Sequence, residues 1–270
     1  MNRLSIEQRA KIIACLVEGN SIRGTSRLTG NSKTTILKLL VELGYACEDY
    51  QNGVMKGLSC KRLQCDEIWS FCYAKSKNLT PQEKEVDGSI WTFVSLCADT
   101  KLVPHWFVGD RNLSSSYRFF YDLKLKLENS GKGVQITTDG FISYPEAILT
   151  NFGKSVNYAS IIKQYDEING RKHRYVGSEI VRICGRPNKD HISTSYCERQ
   201  NLTMRMGMRR FTRKTNAFSK STDNHANAIA LHFMYYNFAR VHQTLKTTPA
   251  VAAGVANHVW SLEEIARLVS

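Results

Sequence analysis

The sequence predicts an α/β protein in which a mixed sheet is preceded by a small all-α domain. Residues 1–45 carry apolar side chains at helical spacing, and residues 63–108 contain three aromatic and β-branched runs that are typical of strands. Helical and strand patterns then alternate. A chain of 270 residues, 42% of them hydrophobic, can form one large domain or two unequal ones.

The charge of the chain indicates a polyanionic partner. The formal net charge is +13, and no apolar run approaches the roughly 18 residues that a membrane-spanning helix needs. We therefore expect a nucleic acid as the partner, and no membrane. The first residues, MNRLSIEQRAK, lack the apolar core of a signal peptide, so we expect a cytoplasmic protein, associated with the nucleoid in a bacterium.

The eight cysteines are expected to be reduced thiols. Several lie in apolar runs, and the sequence contains no C-x-x-C pair. Cys47, Cys60 and Cys65 are the best zinc candidates, but their spacing is loose and no histidine is near them in the sequence.

Residues 1–45 predict three helices that form a helix-turn-helix. Ser5 and Gln8 fit a capping box, and Gly30 marks a tight turn before the third helix, expected over residues 32–43. In this motif the last helix enters the major groove, and the residues before it contact the DNA backbone. The predicted DNA contacts are Arg23, Arg27, Lys33, Thr34, Thr35 and Lys38. A bundle used only for packing or dimerisation is the alternative.

Residues 46–62 lack a periodic apolar pattern and predict a linker. After it the order of elements is three strands, helix, strand, helix, strand, which is the order of the ribonuclease H-like fold. The predicted bounds are 63–74, 89–98 and 102–108 for the strands, 114–129 for the helix, then 133–138, 144–152 and 156–162. This catalytic domain would extend from 63 to 250, with a polar, basic hairpin insertion at 163–191 and a helical tail at 251–270.

Three acids fall where this fold would bring them together. Asp66 lies in the middle of the first strand, where an unpaired carboxylate is costly to bury without a cation. Asp139 ends the fourth strand, and Glu198 begins a late helix. Convergent carboxylates from separate elements are what two-metal phosphodiester chemistry requires. An ordinary Asp-Gly turn is the alternative for Asp139.

Other titratable residues are weaker candidates for this site. Glu67 is expected on the face of the strand opposite to Asp66, because successive side chains alternate. Asp99 fits a hairpin between two strands. His105 and His191 could act as bases, but lone histidines are more often structural.

The stretch 194–214 predicts a cationic amphipathic helix that begins with a single acid. Glu198 and Arg205, seven residues apart, point in the same direction on a helix, so one could hold a metal and the other a phosphate. The predicted DNA contacts here are Arg199, Arg205, Arg209 and Arg210. A solvated basic helix with an ordinary surface Glu is the alternative.

The acidic segments CDEIWSF, ITTDG and ERQNLTMRMGMRRFTRKTNAFSK resemble the three acidic motifs of the DDE transposases of the insertion sequence one family. The segment EGNSIRGTSRLTGNSKTTILKLL resembles the helix-turn-helix of that family. The resemblance implies a transposase that binds terminal inverted repeats, cuts the 3′ strand ends with water and joins them to target DNA. It implies Asp66, Asp139 and Glu198 as the catalytic triad and a homodimer or larger assembly on double-stranded DNA.

Chemistry of this kind uses two Mg²⁺ ions, for which Mn²⁺ can substitute, held by Asp66, Asp139 and Glu198. Two other functions remain open from the sequence. An inactive or domesticated transposase could act as a DNA-binding regulator, although nothing would then require three acids to be kept. A ribonuclease H or a junction nuclease would explain the acids, but not the helix-turn-helix.

Overall fold

The computed structural model of the chain describes residues 3–75, 78, 80, 88–168 and 171–269, without the side chains of 167–168 and 171–173. It divides into two compact units. The first unit contains Met1–Met55, Trp69–Thr92 and Gln200–Ser270, and the second contains Lys56–Ile68 and Phe93–Arg199. None of the helices in these described ranges is long and apolar enough to cross a membrane.

The helices are α1 (Ile6–Val17), α2 (Ile22–Thr29), α3 (Lys33–Val54), α4 (Leu113–Lys126), α5 (Tyr144–Phe152), α6 (Ser195–Gly207), α7 (Thr222–Met234), α8 (Pro249–Ala252) and α9 (Leu262–Arg267). The strands are β1 (Arg62–Cys72), β2 (Gly88–Cys97), β3 (Trp106–Gly109), β4 (Gln135–Asp139), β5 (Asn157–Ile168) and β6 (Arg171–Cys184). The predicted order of strands and helices after residue 62 is therefore confirmed.

In the first unit, helices α1 to α3 begin where the sequence predicted. The Ser5 hydroxyl accepts from the Gln8 backbone N–H at 3.2 Å, and the Gln8 side chain accepts from the Ser5 N–H at 2.9 Å, so the capping box is confirmed. Gly30 ends α2 with a φ of +73°, a left-handed conformation that glycine adopts without strain.

The prediction of a linker over residues 46–62 is wrong for its first half, because α3 continues to Val54. The buried face of this helix continues through Cys47 and Gln51. The Gln51 amide donates to the carbonyls of Cys47 at 3.0 Å and Ala230 at 3.2 Å. A polar residue in this buried position conceals the helical period that apolar residues would have shown.

Close packing of α3 on α7 predicts a strong effect of substitution at Gly44. A Cβ atom added at Gly44 would lie 2.6 Å from the Cα of Asn227, which is backbone and cannot move aside. We expect Gly44→Ala to destabilise the protein by about 2 kcal/mol or more, measured by denaturant unfolding, because the helices must separate. Gly53→Ala is the control on the same helix: no atom lies within 4 Å, so we expect a gain of up to about 1 kcal/mol. Equal stability of the two variants would contradict this packing.

The late helices of the first unit differ from their predicted bounds. The cationic helix predicted over 194–214 ends at Gly207 and is followed by a 3₁₀ turn, Arg209–Phe211. A Cβ on Gly207 would lie 3.3 Å from the Val17 carbonyl oxygen, so the chain approaches α1 closely where the helix ends. The predicted helical tail at 251–270 contains the end of α8 and all of α9.

The six strands form one mixed sheet in the order β3-β2-β1-β4-β5-β6. β4 pairs in parallel with both β1 and β5, whereas β5 and β6 are antiparallel. The basic insertion predicted at 163–191 thus forms most of a long hairpin, and residues 169–170 between its two strands lie outside the described residues. In the second unit, edge-to-face contacts of Tyr144 with Phe93, Phe120 and Phe141 fix the start of α5.

Candidate active site

Asp66 and Asp139 lie side by side on neighbouring parallel strands of the second unit. Cys65 of β1 is paired with Thr138 of β4, so the next residues along each strand are Asp66 and Asp139. One oxygen of each carboxylate, together with one of Glu67, lies within 4.8 Å of the other two. We call these three residues the acidic cluster. The structure therefore brings together two of the three acids that the sequence singled out.

Glu67 belongs to the acidic cluster, contrary to the prediction that its side chain lies apart from Asp66. Its side chain is only 2% exposed. Asp66 Oδ1 accepts from the Glu67 backbone N–H at 2.9 Å, so the Asp66 carboxylate lies along the strand beside Glu67. The sequence offered one unused signal, an adjacent Asp and Glu inside an otherwise apolar strand.

Both carboxylate oxygens of Glu67 have protein donors. The Arg111 guanidinium donates to one at 2.6 Å, and the Tyr144 hydroxyl donates to the other at 2.6 Å. Tyr144 is fully buried, and Arg111 lies over the ring of Phe141, 4.0 Å from its centroid. Glu67 is thus held rigidly, and it is less available than Asp66 or Asp139 to bind an ion. No pattern in the sequence indicated Arg111 and Tyr144 as partners of Glu67.

The acidic cluster is electrostatically strained because its carboxylates are close together and poorly solvated. Burial, followed by the charges of Asp139 and Glu67, raises the pKa of Asp66 to about 8. Burial also raises the pKa of Asp139, although the Phe141 backbone N–H, which donates to it at 3.0 Å, opposes the rise. Burial and the charge of Asp139 raise the pKa of Glu67.

Glu198 lies at the start of α6, outside the acidic cluster. Its side chain is 43% exposed, and one oxygen accepts from the Lys163 ammonium at 2.7 Å and from the Thr194 hydroxyl at 2.9 Å. Burial raises the pKa of Glu198, but these two donors outweigh it and leave the pKa lowered. Its charge contributes to the raised pKa values of Asp66 and Asp139, so it lies near enough to act on both.

Lys163 interacts with both Glu198 and the acidic cluster through its positive charge. Its positive charge acts on Asp139 and opposes the rise in the pKa of that carboxyl. Lys163 was predicted only as the first residue of the basic insertion, with no role in the site. Its position on β5, next to β4 in the sheet, is what brings it to the site.

The weaker candidates have structural partners. Asp99 pairs with Arg62, and that hydrogen bond lowers the pKa of the Asp99 carboxyl. The guanidinium of Arg62 also contacts His191, 2.8 Å from Nδ1. His105 is buried and stacked on Phe119, with ring centroids 5.5 Å apart. Within the described residues, Cys47, Cys60 and Cys65 form no metal-binding group.

Most of the predicted DNA contacts are exposed. Arg23, Arg27, Lys33, Thr34 and Lys38 on α2 and α3 are exposed, whereas Thr35 is half-buried and its backbone N–H donates to the Ser32 hydroxyl. Arg199 and Arg209 are exposed, whereas Arg205 and Arg210 are half-buried. The role of these side chains in DNA binding stays a prediction.

The acidic cluster fits a divalent cation better than it fits water alone. Hard cations such as Mg²⁺ prefer carboxylate oxygens, and the acidic cluster supplies them from two adjacent strands. Burial, and after it the negative charges of neighbouring carboxylates, raises the pKa values of these groups, and a bound cation would favour their ionised forms. Asp66 and Asp139 are the residues best placed to hold it.

Comparison with known proteins gives little further information. No family model matches the sequence, and neither does any curated protein. Among solved structures the chain is similar to the "Crystal structure of the Mos1 Strand Transfer Complex", at 12% identity and a TM-score of 0.25. The similarity covers 58% of this chain and 59% of that chain. At this TM-score it does not establish a common fold.

Proposed function

We propose that the protein is a DDE transposase of the insertion sequence one type, with a ribonuclease H-like catalytic domain and a helix-turn-helix. It would bind the terminal inverted repeats of its element, cut the 3′ strand ends and join them to target DNA. The observation that supports this most is the adjacency of Asp66 and Asp139 on parallel strands, with pKa values raised by burial and mutual repulsion. Carboxylates whose pKa values are raised by burial and by neighbouring charges occur preferentially at functional sites.

In this proposal Asp66, Asp139 and Glu198 hold two Mg²⁺ ions, for which Mn²⁺ can substitute. The ions would supply an activated oxygen nucleophile and would stabilise the leaving oxygen. Lys163 keeps Glu198 ionised and fixes its carboxylate. Arg111 and Tyr144 hold Glu67, which supports the wall of the site as a positioning residue.

DNA recognition would use the basic residues of α2 and α3. The exposed side chains at the start of α3, Lys33, Thr34 and Lys38, would enter the major groove, with Thr35 beside them. Arg23 and Arg27 would contact phosphates, as would Arg199, Arg205, Arg209 and Arg210. Two element ends must be held together before joining, so we propose that a homodimer or larger assembly forms on the DNA.

The test is a cleavage and joining assay with the purified chain. The substrate is a labelled duplex carrying the DNA that flanks the coding sequence, with Mg²⁺, Mn²⁺ or EDTA. We expect a metal-dependent nick that leaves a 3′-hydroxyl, followed by joining of that end to a second duplex. Binding without any metal-dependent nick would instead favour a DNA-binding regulator. Cleavage of RNA–DNA hybrids or junctions, without joining, would favour a nuclease.

A further inference from the structure

A cavity of about 730 Å³ lies within the first unit, and none of the residues that line it belongs to the acidic cluster. Residues from α1, α2 and α3 line one part of it, and α7 and the segment 208–220 line the rest. Among these residues are five cationic side chains and no carboxylate: Arg23, Lys33, Arg209, Arg210 and Lys220. A cavity lined by these charges favours an anion as its ligand.

Arg210 is the cation most committed to this cavity. Its guanidinium donates to the Ser219 hydroxyl at 3.1 Å, and no ion pair with a carboxylate forms among the residues that the structure describes. Burial lowers the pKa of Arg210 to about 10. A buried guanidinium with one neutral partner keeps several N–H donors for a ligand, and the flat guanidinium group matches the oxygens of a phosphate.

His232 supplies a second feature that points to a ligand. It lines the cavity, is 2% exposed, and neither ring nitrogen has a hydrogen-bond partner among the described residues. Burial lowers the pKa of His232 to about 3, so the ring is neutral and carries one donor and one acceptor. Leaving such buried groups without a hydrogen bond is costly, and a polar ligand would remove that cost.

Part of the remaining wall is apolar, which favours an organic anion over a simple inorganic one. Leu16, Leu37 and Leu231 are among the lining side chains, and the volume falls within the usual range for organic ligands. The matching ligand combines a phosphate, an apolar flat body and a polar edge that exchanges hydrogen bonds with a neutral imidazole. A nucleotide has all three.

We propose that this cavity is a binding site for a single nucleotide, with Arg210 and Lys220 at its phosphate and His232 at its base. The nucleotide could be free in solution, or it could be an unpaired nucleotide of a DNA strand. Both sources present the same chemistry to the cavity. The proposal does not depend on phosphoryl transfer at the acidic cluster, although an unpaired DNA nucleotide would connect this site to DNA binding.

The test measures binding by calorimetry with the full chain in EDTA, so that cleavage plays no part. The probes are the four deoxynucleoside monophosphates, inorganic phosphate, and a duplex with or without one unpaired terminal nucleotide. We expect at least one monophosphate, or the unpaired duplex, to bind about tenfold more tightly than inorganic phosphate or the blunt duplex respectively. The preferred probe identifies the source.

Two variants and one control separate this site from general attraction to a basic protein. Arg210→Gln removes the buried cation, and Ala228→Met fills the cavity from α7 without changing charge. Each should weaken binding of the preferred probe about tenfold, whereas Ala226→Met, on the same helix but outside the lining, should leave it unchanged. The proposal is overturned if inorganic phosphate binds as tightly as every nucleotide probe, or if folded Ala228→Met binds like the wild type.

Discussion

Replacing Asp66 with Asn is expected to reduce metal-dependent DNA cleavage at least about 1000-fold, a loss of about 4 kcal/mol of transition-state stabilisation. Asn keeps the size and burial of the side chain but removes the charge that would hold a cation next to Asp139. Affinity for DNA should stay within about twofold, because the basic residues are unchanged. The measurement is a single-turnover cleavage rate together with a binding titration.

Matched variants test whether the loss of cleavage is specific to the acidic cluster. Asp139→Asn should lose as much activity as Asp66→Asn, and the double variant should lose little more, because residues that act as a unit are not additive. Glu67→Gln should be milder, since the carboxylate oxygens of Glu67 already have Arg111 and Tyr144 as partners. Asp122→Asn is the control: it breaks only the surface pair with Arg118 on α4 and should leave activity unchanged. Retention of more than a tenth of the activity by Asp66→Asn would contradict the proposed role.

The same substitution is expected to stabilise the metal-free protein at pH 8. The pKa of Asp66 is raised to about 8 in the folded state, above its ordinary value of 3.8. Folding therefore favours the protonated form of Asp66. The stability that the protonated carboxyl contributes is complete below about pH 4 and is lost as the pH rises to 8. An Asn cannot ionise, so Asp66→Asn should unfold several degrees higher than the wild type at pH 8, since about 1 kcal/mol corresponds to 2–4 °C.

The difference in melting temperature between the Asp66→Asn variant and the wild type reports the ionisation of Asp66, because the other titrating groups are the same in both proteins. In EDTA the stabilisation by Asp66→Asn should shrink as the pH falls from 8 to 5, because the wild-type carboxyl then becomes protonated. Excess Mg²⁺ should raise the melting temperature of the wild type and not that of the variant. A variant that is less stable than the wild type at pH 8 in EDTA would show that Asp66 is paired in the fold, not repelled.

The order of elements and two of the three acids could be predicted because each depends on a local signal. Runs of aromatic and β-branched residues place β1 and β4. A central position in β1 and a terminal one in β4 place Asp66 and Asp139. Glu67 was misplaced because its position depends on its partners Arg111 and Tyr144, which come from other parts of the chain. The extension of α3 was missed because Gln51 makes polar contacts with distant residues.

Glu198 shows a further limit of sequence reasoning. Its helix and its single charge could be predicted, but its partner Lys163 comes from a strand 35 residues earlier. Ion pairs of this kind depend on which strands become neighbours, and sequence spacing does not reveal them. The position of Glu198 beside the acidic cluster, and not within it, could be found only in the structure.

A divalent cation is proposed to bind between Asp66 and Asp139. Its position can be measured by letting a bound metal ion generate radicals that cut the protein backbone nearby. Fe²⁺ replaces Mg²⁺, and ascorbate with peroxide then generates radicals that cut the backbone close to the bound ion. We expect fragments that end near residues 66 and 139, suppressed by excess Mg²⁺ and absent from the Asp66→Asn, Asp139→Asn double variant. Cuts elsewhere, or cuts at these positions that persist in the double variant, would contradict it.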